Sequence, residues 1–355
     1  MDARTDRPAD PDPGRIEVRV SDIGELAASI PHLLGFRPRE SVVLISLGGP
    51  SGGRVGLTAR IDIPPPVAAT AMVREVVRTV LTDEPHAVVV AVVSEAPDPP
   101  DGTLAHQEAV AEVGVALAAH AVPVQDAVLV RGGRWWSYDC AGPCCAPGRG
   151  TPLPEGVSAL EVAAVASGAV VECDREALAA RIAAPGPEAR TAIAETCART
   201  AGALADDILR HGWAAVAAQS WSAVLAAVDR VRPGTPADRL TDVELARLLW
   251  GLRDVAVRDR ALELALGEDA AAAEQLWTEC TRRAPAPLDA APATLLAVST
   301  WLRGDGAMAG IALARALDGA PDYALARLLA QGLSVCMRPA ELRALIEQAA
   351  GDRSG

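Results

Sequence analysis

Chemistry in this chain is concentrated between Arg134 and Pro154, where the sequence runs RWWSYDCAGPCCAPGRGTPLP. Two of the seven tryptophans, one of the two tyrosines and three of the seven cysteines fall there. Cys140 and Cys144 are spaced C-x3-C, with Cys145 adjacent. Several chemistries are open to such a group. Thiolates converging on one ion make a zinc site, which in its usual tetrahedral form takes four ligands. Cys140, Cys144 and Cys145 supply three, and Asp139, Cys173 and His120 are the candidates for a fourth. Cys140 bridging Cys144 or Cys145 across the Gly-Pro turn would make a redox pair, although the spacing is not the thioredoxin C-x-x-C. A lone catalytic thiolate needs a base, and no Cys–His pairing is visible. The default reading is packing, with small apolar thiols holding a Pro/Gly-rich loop against a sheet edge.

Arg134 beside Trp135 and Trp136 also offers a recognition surface for an anion or a peptide. Strand alternation puts Trp135 and Ser137 on one face and Trp136 and Tyr138 on the other, so at most one aromatic pair is exposed. A second candidate is Arg37 with Ser41, a forked donor and a hydroxyl near a strand mouth that together could bind an anion. The plain alternative is an ion pair between Arg37 and Glu40 and a turn hydroxyl. Elsewhere the five histidines form no HxxxH or HExxH pair, and no GxSxG elbow occurs. The glycines of 48–53 are followed by a strand and no GK[ST], so they are not a phosphate loop. No catalytic residue is assigned, and whether the chain is an enzyme stays open.

The elements that must position these residues divide into two kinds. In the first half strands alternate with helices. A strand is expected over 15–20, a helix over 22–30 capped by Ser21 or Asp22 and ended by Pro31, and strands over 41–47 and 54–63 joined as an antiparallel pair. A helix over 67–81 follows, then the unbroken apolar strand HAVVVAVV of 86–93, which suits the centre of a sheet covered on both faces. A helix over 104–119, a strand over 126–130 and a hairpin partner at 135–138 complete an α/β domain with a mixed sheet, 16–155, preceded by a polar tail, 1–15, expected to be disordered.

After Gly150 the strand signal almost disappears. Alanine-rich helices are expected at 158–168, 174–184, 187–209, 211–230, 236–264, 269–282, 291–303, 306–318, 321–332 and 338–349, an all-helical region over 156–350. The long 236–264 segment breaks near Gly251. Alanine buries little area, so Ile208, Trp213, Trp221, Leu225, Leu248, Leu249, Trp250, Leu276, Trp277 and Leu296 are the expected anchors. Over about 290–323, Gly304, Ala309, Ala316 and Pro321 resemble the turn glycine, small packing residues and helix-opening proline of a tetratricopeptide-type repeat. Thr300 stands where that pattern has an aromatic, and no second clean copy follows.

Composition bounds the function classes. The chain has 355 residues, 73 alanines, 33 arginines and no lysine, with formal charge −13. An acidic balance argues against general nucleic-acid binding and against an acidic membrane surface. No apolar run reaches the roughly 18 residues that span a bilayer. The first residues carry no apolar signal core, and the odd cysteine count is no secreted disulfide framework. The expected compartment is the cytoplasm.

Four blocks together resemble a known family. They are LAASIPHLLGFRPRESVV from Leu26, RVGLTARIDI, the RWWSY-x-C-x3-CC-x2-G-x3-PLP block and WLRGDGAMAGIALARALDGAPDYALARLLA from Trp301. The chain resembles the bacterial, typically actinobacterial, domain-of-unknown-function family 4192 over about 20–335. That resemblance includes Arg37, Ser41, Arg134, Trp135, Ser137, Cys140, Cys144 and Cys145, and brings no activity with it. The fold expected is an α/β, mixed-sheet N-terminal domain followed by an alanine-rich, partly tetratricopeptide-like helical region. Two functions stay open. One is an interaction or regulatory module that meets a protein partner through the helices. The other is an enzyme or small-anion-binding protein with a site between Arg37/Ser41 and the 134–145 loop, with zinc as its candidate cofactor.

Overall fold

Valine and isoleucine at both parities of a strand demand cover on both faces, and that demand builds the first part of the fold. The computed structural model describes residues 22–49, 53–65, 67–155, 162, 170–232 and 239–354. The expected tail over 1–15, the strand over 15–20 and the helix over 158–168, apart from residue 162, lie outside these. The chain divides into two compact units, Met1–Leu33 with Pro38–Val171 and Leu34–Arg37 with Glu172–Gly355.

The first unit opens with α1 (Ile23–Leu34), where Asp22 accepts the Glu25 N–H at 2.8 Å as a cap. Pro31 was the expected stop, but it lies inside α1. The helix ends instead at Gly35, whose φ of +76° is the left-handed terminator that glycine adopts most cheaply. Six strands follow: β1 (Ser41–Gly48), β2 (Arg54–Asp62), β3 (Ala87–Val93), β4 (Val124–Arg131), β5 (Arg134–Ser137) and β6 (Thr151–Pro152). They form one sheet in the order β2-β1-β3-β4-β5-β6. The β1–β2 pair is antiparallel, as its short connection predicts. Only β3–β4 is parallel, because α3 (Gln107–Ala118) carries the chain back between them.

α2 (Ala69–Leu81) offers Val73, Val76, Val77 and Val80 at helical spacing. With Val113 and Leu117 of α3 they pack on Val42, Leu44, Val88, Val90, Val92, Leu129 and Trp136. The other sheet face is buried too, at Val43, Ile45, Val89, Ala91 and Val128. The expectation for the 86–93 strand therefore holds: β3 is an interior strand buried on both sides.

The second unit is helical. Its elements are α4 (Arg175–Ala180), α5 (Pro187–His211), α6 (Trp213–Arg230), α7 (Asp242–Gly251), α8 (Val255–Leu262), α9 (Ala270–Arg283), α10 (Ala290–Leu302), α11 (Gly306–Gly319), α12 (Ala324–Ser334) and α13 (Pro339–Ser354). Thr241 and Glu244 close a capping box on α7. The expected break near Gly251 occurs at residues 252–254, where Asp254 caps α8. Every residue of α10 from Ala290 to Trp301 is buried, and α10 packs against α8, α9, α11, α12 and α13. It is the centre of a bundle. Leu248, Leu249, Leu276, Trp277 and Leu296 are core anchors as expected. Trp213 and Leu225 are not: they are 61% and 39% exposed. Trp213 begins α6, and its indole N–H reaches Asp254 at 2.6 Å instead of entering the core. Leu225 points outward because Val224, Ala227 and Val228 define the inward face of α6. No helix among the described residues is long and apolar enough to cross a membrane.

Candidate metal centre

The cysteine loop hangs from the far end of β5 and returns to pair as β6. Thr151 pairs with Trp135 and Pro152 with Arg134. Its anchors alternate as the strand period requires. Trp136 is buried in the sheet–helix core, while Trp135 turns the other way and brings its indole nitrogen against Gly24 of α1. Tyr138 donates its hydroxyl to the Ala105 carbonyl at 2.6 Å, and burial pushes its phenol pKa up. Neither aromatic pair is thus a free recognition surface.

Trp136 also shapes the loop. Its indole N–H donates to the Ala146 carbonyl at 3.3 Å, and its ring lies so close to Gly150 that a Cβ there would be 2.5 Å from it. Gly150 has φ +61°, so a glycine is needed for both backbone and space. Arg134 ties the loop's return, donating from Nε to the Arg149 carbonyl at 2.7 Å and from a terminal nitrogen to the Gly150 carbonyl at 2.9 Å. Behind Trp136 the Arg131 guanidinium stands 4.9 Å from the ring centre and forks onto Asp98 at 2.8 and 3.1 Å. Burial pulls the Asp98 carboxyl upward, but the Arg131 hydrogen bond and the Ala105 N–H outweigh it and hold it below the usual range.

Held this way, the three thiols converge. The Sγ atoms of Cys140, Cys144 and Cys145 all lie within 4.8 Å of one another, and Cys140 and Cys144 are 3.7 Å apart. A zinc–sulfur bond of about 2.3 Å in tetrahedral array sets a sulfur–sulfur edge of about 3.8 Å. The observed pair already has that edge. It is far longer than a disulfide bond of about 2.05 Å, and all seven cysteines are free. Backbone donors aim at the sulfurs: Gly142 N–H at Cys140 Sγ, 3.4 Å, and Ser137 N–H at Cys145 Sγ, 3.2 Å. Such donors orient and stabilise thiolates at metal sites. The Gly142 N–H and the two neighbouring thiols lower the Cys140 pKa. Burial drives Cys145 the other way, to about 11, which fits its second role as a member of the core. Among the described residues no histidine or carboxylate joins the group. Burial and the nearby Asp139 charge raise the carboxyl pKa of Asp126.

Ser41, in the same unit, does not reach this loop. Ser41 is fully buried, donating to the Arg39 carbonyl at 2.6 Å and accepting from Arg60 Nε at 2.8 Å. The ladder runs Ser41–Val93–Val130–Trp135, so Ser41 is three strand spacings, about 14 Å, from Trp135. Arg37 belongs to the second unit, where its N–H bonds the Glu172 carbonyl at 3.0 Å.

One polar cluster escaped the sequence. Ser94, buried at the carboxyl end of β3, meets Glu40 Oε2 at 2.8 Å, His106 Nε2 at 2.9 Å and the Ala96 N–H at 3.1 Å. Glu40 and His106 both have left-handed φ, +41° and +61°. A carboxylate only accepts, so the single Ser94 proton goes to Glu40, and His106 must donate from Nε2. With the hydrogens assigned this way, Ser94 is a latch that ties the segments of Glu40 and His106 to the end of β3. Its only sequence signal is a serine directly after a buried strand, at the sheet end where α/β folds place ligands.

The family described as Domain of unknown function (DUF4192) matches residues 24–340, and the chain belongs to it. No curated protein and no solved structure matches the chain.

Proposed function

We propose that this family member is a binding or regulatory protein whose α/β unit carries one zinc ion on Cys140, Cys144 and Cys145, with the helical unit as its surface for a protein partner. The observation that carries the metal is the convergence of three sulfurs within 4.8 Å on a loop otherwise fixed by Arg134 and Trp136. Soft thiolates in tetrahedral array select zinc among the common divalent ions. When bound, zinc supplies a fixed positive centre that converts the loop from a chain of turns into a rigid surface feature. The thiols hold it, and the Gly142 and Ser137 N–H groups stabilise their charge.

Support for the partner surface is the exposed apolar set Leu209, Trp213 and Val255. The tetratricopeptide-like reading of α10 and α11 draws on Gly304 at φ +93° and the buried Ala309 and Ala316. Enclosure of α10 speaks for a bundle centre over an open repeat. Seven free thiols fit a reducing compartment, the cytoplasm, and the complete use of arginine for lysine fits a GC-rich, actinobacterial source.

Metal analysis of the full chain, paired with thiol titration, tests the proposal. One zinc per chain is expected, lost in a Cys140→Ser, Cys144→Ser double variant that keeps its helical circular dichroism. A wild-type chain that takes up no zinc and titrates Cys140 and Cys144 freely defeats it.

A further inference from the structure

Three thiolates fill three corners of a tetrahedron, and the rim of the loop bears on the fourth. This step rests on the zinc reading above. Cys145 is buried, while Cys140 and Cys144 are exposed, so the metal would be approached from the side of the latter two. On that side Cys144 lines an open groove of about 610 Å³ with Arg134, Pro143, Gly148, Arg149 and Gly150. No other metal-ligating side chain among the described residues stands within the sulfur group. The groove therefore brings together a soft metal-binding edge and two guanidinium groups.

Their charges differ in availability. Arg134 spends two N–H donors on the Arg149 and Gly150 carbonyls. Arg149 is exposed, and its side chain makes no hydrogen bond or ion pair with any of the described residues. A divalent ion with three thiolates carries a net charge of −1, so a further anionic donor needs a counter-charge nearby. A guanidinium supplies that charge with a forked geometry that matches carboxylate and phosphate oxygens. In a chain of formal charge −13, two arginines lining one groove beside thiols is the local reversal that recruits an oxyanion.

We infer that the fourth position of the Cys140–Cys144–Cys145 metal is open and takes an oxyanion, a carboxylate or phosphate group of a small ligand, with one oxygen on the metal and another on Arg149. No bond is made or broken in the ligand; it displaces solvent from the ion. Structural zinc sites are closed by four protein ligands, whereas sites that exchange ligands keep three, so the inference separates a purely structural zinc from a ligand-binding one.

Cobalt(II) in place of zinc in the full-length protein tests this, because its visible bands report each change in coordination. Inorganic phosphate, acetate and imidazole are titrated separately at constant ionic strength. Phosphate or acetate is expected to shift the d–d bands saturably, the tighter of the two identifying the group. Arg149→Gln is expected to weaken that binding about five- to tenfold while leaving the neutral donor imidazole unchanged. Bands that respond to none of the three show a position closed by the chain and overturn the inference. A response to imidazole alone, or equal weakening of imidazole by Arg149→Gln, overturns the oxyanion. Failure of cobalt to produce a sulfur-to-metal charge-transfer band defeats the metal reading itself, a distinct result.

Discussion

At the scale of single residues, neighbouring thiols are pulled in opposite directions. The Gly142 N–H and the adjacent thiols favour the Cys140 thiolate and lower its pKa from the ordinary thiol value. Cys145 resists, its burial lifting its pKa to about 11. Near neutral pH Cys145 is therefore a thiol until a metal displaces its proton. Zinc binding must release protons, so affinity rises with pH and falls as pH drops. Between pH 8 and pH 6 we expect zinc affinity to fall by about two to three orders of magnitude per pH unit. In weak buffer at pH 7, about two to three protons should appear per zinc bound, as read by a pH indicator. Release of none would mean that nitrogen or oxygen, not sulfur, holds the ion. The residue types of this site were legible in the sequence, since cysteines and tryptophans crowd into one block. The choice between metal, bridge and packing was not, because C-x3-CC fixes a spacing along the chain and leaves the sulfur separations to the turn at 141–143. Asp98 with Arg131 and the Ser94 latch were illegible for the same reason: their members are 33, 54 and 12 positions apart.

Elements position these residues, and the loop is the least regular of them. Gly148 and Gly150 both have left-handed φ, +76° and +61°, but only Gly150 lies under the Trp136 ring; a Cβ on Gly148 meets nothing within 4 Å. Alanine at Gly148 should therefore cost about 1 kcal/mol of backbone strain. Alanine at Gly150 adds a clash with a buried ring and should cost about 2–4 kcal/mol. It should also weaken zinc by moving the Arg149–Thr151 return. Urea unfolding and a zinc competition assay on the two variants check this; equal losses would show that Trp136 does not shape the loop. Periodicity made most elements readable, α2 and β3 above all. The breaker rule failed at Pro31, which lies inside a helix that continues to Leu34, and side-chain size alone does not mark a core anchor at Trp213 and Leu225, because it does not say which helix face turns inward.

On the scale of the whole molecule, the change from strands to alanine-rich helices was readable because strand propensity almost disappears after Gly150; the two-residue β6 just beyond that point carries no strand signal and was not. Strand order was not readable, since it depends on which crossover follows which strand: β3 lies between β1 and β4, a pairing no local pattern records. The assignment of Leu34–Arg37 to the second unit was equally hidden; it arises from a bridge between Phe36 and Glu172, residues far apart in sequence. These features put β5 and β6 at one end of the sheet order, so that a long loop can leave β5, gather three thiols and return. That convergence is the claim on which the proposed function and the oxyanion inference both depend. X-ray absorption at the zinc edge of the full-length, zinc-loaded protein measures it directly. Three sulfurs at about 2.3 Å and one nitrogen or oxygen at about 2.0 Å are expected. A shell of nitrogen and oxygen alone, unchanged in the Cys140→Ser, Cys144→Ser variant, would contradict it.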